Sequence, residues 1–209
     1  MRLTLVLGAV AAAAAGILAV TFQATSEKIE IQQKLVKQKA LNDVFFKIDM
    51  AKASINELSD KVSLIYENGD QSRPPYYAAL GAGLGYNKGV PIELLVGFEK
   101  KEKGGAEKFV VVGWKVIKSE ETPGLGENAK NTEPPFTWAE KLSGSAKEAG
   151  PDRRTKFQKQ FEGLSPEEMK ARETIDVITA ATYSTIGIID AIKDAEVNLK
   201  SALEKNNIK

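Results

Sequence analysis

The stretch DVITAATYSTIGIIDAI, residues 176–192, joins an acid, small residues and a dense set of hydroxyls to an apolar half with helical spacing. The pattern predicts a short strand, a turn of small residues and then a helix. Free backbone N–H groups and a partial positive charge collect at such a helix start, which makes it a ready site for an anion. Thr182 is predicted at or next to the first turn, where its hydroxyl could cap the helix, bind a phosphate or be esterified by one.

The residues around Thr182 argue against a catalytic role for its hydroxyl. Ala180 and Ala181 keep the approach to the turn open. A threonine hydroxyl with no His or Lys nearby in sequence is a poor nucleophile. Any covalent use of this hydroxyl therefore requires an external enzyme.

A second stretch, ETPGLG at residues 121–126, has the chemistry of a type II turn. Pro123 fixes φ and Gly124 tolerates a positive φ, while Gly126 allows a second close approach of the backbone. Such a turn exposes N–H groups and lets a planar ligand lie against the main chain. A structural turn without a ligand is the alternative interpretation.

A third stretch, GAGLGYNKG at residues 81–89, resembles a dinucleotide-binding loop only superficially. In a G-x-G-x-x-G pattern that starts at Gly81, the final glycine would fall at Tyr86. No helical pattern follows, and the next element is predicted as a strand. We therefore expect glycines at a bulge or at a tight passage between strands.

The amino-acid composition excludes several kinds of metal site and catalytic site. The chain has 209 residues, with 29 Lys+Arg, 28 Asp+Glu, no Cys and no His. This excludes a disulfide scaffold, thiolate-held iron–sulfur clusters, ordinary zinc sites, His-ligated haem and any catalytic triad that needs His or Cys. We predict no metal site. The near-neutral net charge does not indicate a nucleic-acid-binding surface. Redox chemistry, if present, would use a non-metal organic cofactor.

The N-terminus carries an uncharged, mostly apolar run at residues 3–22. At ~1.5 Å per residue this run spans roughly the 30 Å hydrocarbon core of a bilayer. We predict a retained transmembrane anchor over residues 1–25, with a cleaved signal peptide as the alternative. Arg2 favours a cytoplasmic N-terminus, and both interpretations put the rest of the chain on the other side of the membrane.

The remaining elements indicate an α+β domain with a mixed or antiparallel sheet and flanking helices. A stalk helix is predicted over residues 26–48, because Leu41, Val44, Phe45 and Ile48 form one apolar face. The domain proper would then occupy residues 49–209. Strands are predicted at residues 62–67, 76–80, 92–99, 109–117 and 174–178, the third and fourth forming a hairpin. Short helices are predicted near 138–142, 157–161 and 165–168, and a long one at the C-terminus.

Taken together, these motifs resemble the FMN-binding domain of the G component of the Rnf ion-translocating oxidoreductase complex. The same domain occurs in the C component of the Na⁺-translocating NADH:quinone reductase. Residues 176–182 resemble the family's D-x-x-[ST]-[GA]-A-T signature, although the family usually has glycine where this chain has Ala180. ETPGLG matches the family in full. GYNKGVPIELLVGFE and FQKQFEGL resemble two further family segments, and all four lie in the family's order.

The resemblance implies that FMN is joined to Thr182 through a phosphoester by a separate flavin transferase, with FAD as the donor. Asp176 and Thr179 would belong to the motif that the transferase recognises. The turn at Thr122 to Gly126 would contact the isoalloxazine. Glu121 and Leu125 would orient and pack at this contact rather than transfer protons. The implied cofactor-binding residues are Thr182, Thr179, Ala180, Ala181, Asp176, Glu121, Thr122, Gly124, Leu125 and Gly126.

The implied function is that of a membrane-anchored flavoprotein in the inner or plasma membrane. It would relay electrons with other subunits of a ferredoxin:NAD oxidoreductase complex that transports Na⁺ or H⁺, and it would not be a stand-alone catalyst. Length and a single anchor favour the Rnf component over the longer reductase component. Two further alternatives are a non-redox extracytoplasmic module that binds a phosphate-bearing ligand reversibly and a structural subunit without flavin.

Overall fold

The computed structural model describes residues 2–121, 154–178 and 181–208. The chain divides into two compact units, Met1–Gln38 and Lys39–Lys209. The predicted helical piece at residues 138–142 lies outside the described residues. The boundaries predicted at residues 25 and 48 remain predictions.

The N-terminal unit is helical. Helix α1 covers Arg2–Val44, and its last residues belong to the second unit. Within it, Val6–Ser26 has a mean hydropathy of 2.0, and its described side chains are almost all exposed. Length and composition are therefore sufficient for one membrane crossing, which fits a single-pass membrane protein.

A five-stranded antiparallel sheet forms the centre of the second unit, with its strands in sequence order. The α+β prediction is confirmed, as are four of the predicted strands and the hairpin between the last two. The first strand was not predicted. The strands are β1 Ser54–Ser59, β2 Val62–Tyr66, β3 Tyr76–Gly83, β4 Ile92–Lys103 and β5 Ala106–Lys118.

The sheet buries both faces, because α-helical segments cover each of them. On one face, Tyr77 and Ala79 of β3 join a large cluster with the C-terminal helix, here named α3, which covers Thr182–Lys205. On the other face, Ala78 of β3 packs in a smaller cluster with residues 40–48. The alternation of residues 77, 78 and 79 between the two clusters follows the two-residue period of a strand.

Strand β3 and helix α3 approach each other at backbone distance, and this approach positions the start of α3. A Cβ at Gly83 would overlap the Gly187 carbonyl oxygen and lie 2.6 Å from the Ala191 nitrogen. A Cβ at Gly187 would in turn lie 2.8 Å from the Gly85 Cα. Gly83 and Gly85 of GAGLGYNKG thus serve helix packing, and a strand follows the segment rather than a nucleotide-binding helix.

The segment before α3 packs along β5. The short helix α2, Lys156–Lys159, places Phe157 and then Phe161 against Trp114, with ring centroids 5.9 and 5.3 Å from the indole. A 3₁₀ turn covers Pro166–Glu168. A hydrogen bond from Lys103, with a second from the Ser165 backbone, lowers the pKa of Glu168 to about 2.

The strand predicted at residues 174–178 is wrong. The structure has only an isolated bridge between Ala171 and Ile175 there. The reason is a tight loop in which the Lys170 carbonyl accepts hydrogen bonds from the backbone N–H groups of Thr174 and Ile175, at 3.0 and 3.1 Å. Those donors are therefore taken up locally instead of by a neighbouring strand.

Candidate functional site: the start of helix α3

Helix α3 begins at Thr182 without a side-chain cap. Its N-cap is Ala181, whose methyl group cannot accept a hydrogen bond. Thr182 is the first helical residue, so its hydroxyl does not cap the helix in the usual way. The first N–H groups of a helix have no acceptor within the helix, and a 24-residue helix adds its dipole to them. The start of α3 therefore favours an anion.

Two other hydroxyls of this stretch, those of Thr185 and Ser184, have their own partners. Thr185 is fully buried; its Oγ1 accepts from the Ile178 N–H at 3.1 Å and donates to the Ala181 carbonyl at 3.2 Å. The Thr185 side chain thereby links Ile178, which precedes the helix, to the first turn of α3. Ser184 is also buried and donates to Glu121. Neither Ser184 nor Thr185 caps the helix, because both side chains link α3 to other segments.

Thr182 is half-buried, and the exposed Arg172 lies beside its hydroxyl. The Arg172 Nη2 group donates to Thr182 Oγ1 at 3.2 Å. Arg172 lies in the Lys170–Ile175 loop with a φ of 67°, in the left-handed region that non-glycine residues rarely adopt. Its backbone N–H donates to the Ile175 carbonyl at 2.9 Å. Ile175 is buried in the main core, so the loop that carries Arg172 is fixed to the fold.

Glu121 connects three parts of the chain at this site. Its carboxylate is buried and accepts from the backbone N–H groups of Tyr86 and Asn87 at 3.3 and 3.2 Å. The same carboxylate accepts from the Ser184 hydroxyl in the first turn of α3. The first residue of ETPGLG is therefore attached to the β3–β4 connection and to the helix that begins at Thr182.

The structure brings three of the predicted cofactor-binding residues together at the start of α3: Thr182, Ala181 and Glu121. Thr182 lies in the first turn of α3, and Glu121 reaches that turn through Ser184. Ala181 is the N-cap residue. Asp176 is exposed, and its backbone N–H donates to the Gln160 side chain at 2.7 Å. The remaining predicted residues lie outside the described part of the chain: Thr122, Gly124, Leu125, Gly126, Thr179 and Ala180.

Sequence reasoning missed Ser184 as a partner of Glu121. Arg172 and Lys193 are the nearest cations on either side of the Asp176–Thr182 signature in sequence, but no motif in the sequence assigns either of them a role. The helical period could have identified Ser184, because it shares the inward face of α3 with Ile188 and Ala191 and so needs a buried partner. Lys193 is exposed and lies eleven residues along α3 from Thr182, or ~16 Å at 1.5 Å per residue. Of these two cations, Arg172 is the one that contacts the threonine.

Two family models match the chain. The model described as the FMN-binding domain matches residues 85–196, and the model described as the RnfG N-terminal region matches residues 1–44. The chain belongs to the FMN-binding domain family and is of the RnfG type. No curated protein and no solved structure gives a significant match to it. The resemblance found in the sequence motifs is thereby confirmed.

The residues at the start of α3 fit the phosphate end of FMN. The FMN-binding domain match includes the helix start, Thr182, Arg172 and Glu121. A phosphate is an anion with several acceptor oxygens, so a guanidinium and free helix N–H groups suit it chemically. The hydroxyl of Thr182 lies at the same helix start.

Proposed function

We propose that this protein is the electron-carrying flavoprotein subunit of an Rnf-type complex, with FMN esterified to Thr182. The observation that carries the proposal is the placement of Thr182. It is the half-buried first residue of α3, its hydroxyl accepts a hydrogen bond from Arg172, and it lies inside the matched FMN-binding domain. An uncapped helix start and an oxygen nucleophile at one position support a phosphoester there.

The attachment would need an external flavin transferase and FAD. The Oγ of Thr182 forms a bond to the phosphorus of the FMN half, and the phosphorus–oxygen bond that links this half to AMP breaks. AMP leaves with the bonding electron pair, and the threonine proton passes to a base of the transferase. The chain's own part is to present the hydroxyl, and the charge of the resulting phosphodiester is balanced by the helix start.

The protein's further contribution is to hold and orient the cofactor. FMN, when bound, supplies the electron-carrying chemistry of the subunit. Glu121 fixes the beginning of ETPGLG against the first turn of α3 through Ser184. We propose that Thr122, Gly124, Leu125 and Gly126 contact the isoalloxazine, and that Thr179, Ala180 and Asp176 belong to the segment that the transferase recognises.

We place the protein in the inner or plasma membrane with its N-terminus in the cytoplasm and residues 49–209 on the other side. The candidate span Val6–Ser26 and Arg2 before it support this arrangement. Its partners would be the other membrane subunits of a complex that couples ferredoxin and NAD redox chemistry to Na⁺ or H⁺ transport. The match of residues 1–44 favours this role over that of the related component of the NADH:quinone reductase.

Intact-mass analysis of the full-length protein, co-expressed with a flavin transferase, tests the proposal. We expect one added FMN less one water, retained after denaturation. Thr182→Val removes the hydroxyl but keeps the side-chain shape, and it should abolish the adduct. Tyr183→Phe removes the neighbouring exposed hydroxyl, so it is the matched control and should still load. An unmodified wild-type mass under these conditions would contradict the proposal, and flavin lost on denaturation would favour a reversible ligand-binding module.

A further inference from the structure

The guanidinium of Arg172 is the only cation within the described residues with a hydrogen bond to Thr182. We infer that Arg172 binds the phosphodiester formed at Thr182. The inference rests on the proposed function, because it assigns a role at the same attachment site. No sequence motif quoted above includes Arg172, so the contact is visible only in three dimensions.

The backbone position of Arg172 is fixed by hydrogen bonds within its loop and by the buried residues on either side of the loop. The loop is closed by bonds to the Lys170 carbonyl and by the Arg172 N–H to the Ile175 carbonyl at 2.9 Å. Thr174 adds a hydrogen bond from its Oγ1 to the Glu168 carbonyl at 2.9 Å. Met169 and Ile175, which flank the loop, are each 1% exposed in the main core. The loop is therefore preorganised before any phosphate arrives.

The contact suits a phosphoester better than a free hydroxyl. In the unmodified chain, the Arg172 Nη2 group donates at 3.2 Å to a neutral oxygen. Esterification would put a negative charge and two further acceptor oxygens on the phosphorus bonded to that oxygen. A guanidinium is a planar fork of donors that matches such oxygens, and charge-assisted bonds are about twice as strong as neutral ones.

Other charged side chains of the loop are less suited to this role. Glu173 and Lys170 form an ion pair with each other at 3.2 Å. Asp176 carries the wrong charge for a phosphate. Among the described residues, the cation that contacts Thr182 is thus Arg172, and it would offset the charge of the diester together with the helix start.

The test compares wild type with Arg172→Gly, Arg172→Lys and the control Lys193→Ala in the full-length protein. Glycine accepts a positive φ without strain, so Arg172→Gly deletes the guanidinium and leaves the loop conformation accessible. Lys193→Ala removes an exposed cation from α3 away from the site. Three quantities are measured: the rate of FMN loading at limiting transferase, the gain in melting temperature on loading, and the ³¹P resonance of the loaded protein.

We expect Arg172→Gly to load roughly tenfold more slowly or worse, as for the loss of a charge-assisted hydrogen bond. It should also gain less in melting temperature on loading and show a shifted ³¹P resonance, while its unloaded form melts like wild type. Arg172→Lys should recover part of each effect, and Lys193→Ala should show none.

Loading of Arg172→Gly at the wild-type rate, with an unchanged ³¹P resonance, would overturn the inference and leave the proposed function intact. Equal effects of Arg172→Gly and Arg172→Lys would also overturn it, because the charge would then be irrelevant. Failure of wild type and Lys193→Ala to load would overturn the proposed function and this inference together.

Discussion

At the scale of single residues, the site depends on a buried carboxylate satisfied by three donors. Glu121 is 5% exposed and accepts from two backbone N–H groups and from Ser184, which is 1% exposed. A buried polar group that loses a partner keeps the cost of its desolvation. The bond between Glu121 and Ser184 therefore holds the β3–β4 connection, the start of ETPGLG and the first turn of α3 in one arrangement.

We predict that Ser184→Ala lowers the free energy of unfolding by about 1–3 kcal/mol, because it leaves the Glu121 carboxylate with one donor fewer. Alanine has the higher helix propensity, so propensity alone would act in the opposite direction. Ser201→Ala on the exposed face of the same helix is the matched control and should change stability by less than ~0.5 kcal/mol. Chemical denaturation measures both, and equal stability of the two variants would contradict the role assigned to Ser184.

At the scale of elements, the start of α3 is positioned by its contact with β3. The backbones meet where Gly83, Gly85 and Gly187 leave no room for side chains. Close packing of this kind transmits any change in volume, because the interior has no space to absorb it. Where β3 extends beyond the end of β2, side chains of α3 form hydrogen bonds with its backbone. Asp194 accepts from the Ala82 N–H at 3.0 Å, and Asn198 donates to the Leu80 carbonyl at 3.0 Å.

We predict that Gly83→Ala destabilises the protein by about 1–3 kcal/mol or more, since the added methyl must displace helix backbone. Gly89→Ala is the control, because a Cβ there would meet only the Asn87 side chain at 3.4 Å. Thermal unfolding followed by circular dichroism compares the two. A melting temperature of Gly83→Ala equal to that of Gly89→Ala would show that the two backbones are not in contact.

The elements differ in how far the sequence predicts them. Strands β2 and β5 are rich in β-branched and aromatic residues, and β3 and β4 begin with mostly apolar runs, so the pattern identifies these four strands. Strand β1, SINELS, was missed because it is an edge strand with mostly exposed side chains, which leaves no alternating pattern. The segment at 174–178 looked like a strand, since its residues suit one, but local hydrogen bonds to Lys170 use its donors.

The candidate functional site is likewise only partly predictable from the local sequence. Thr182 at the first turn follows from local sequence, because small residues precede an apolar helical pattern. The bond of Ser184 to Glu121 joins residues 63 positions apart, and no local pattern encodes such a pairing. Arg172 is ten residues from Thr182, and its reach depends on a positive φ that an arginine rarely adopts. Both contacts therefore require the tertiary structure.

At the scale of the whole molecule, the second unit begins before the sheet. Residues 40–48 contribute most of the smaller cluster, in which Val44 and Phe45 are 0% and 1% exposed. This segment closes the face of the sheet opposite α3. The second unit, Lys39–Lys209, thus includes the last turns of α1 as part of its own core.

We predict that a fragment of residues 39–209 folds cooperatively, whereas a fragment of residues 50–209 does not. Each large apolar side chain that is lost from the core removes roughly 1.5–3 kcal/mol, and several such losses approach the typical total stability of about 5–15 kcal/mol. Melting curves of the two purified fragments provide the measurement. Equal melting temperatures would refute the importance of residues 40–48 for this unit.

The central claim is that Thr182 carries FMN, and peptide fragmentation by mass spectrometry tests it most directly. After co-expression with a flavin transferase, trypsin should release residues 173–193 as one peptide, because no Lys or Arg lies between Arg172 and Lys193. The account predicts FMN less one water on Thr182, with the neighbouring Thr179, Ser184 and Thr185 unmodified. FMN on any of those three residues, or an unmodified peptide, would contradict it.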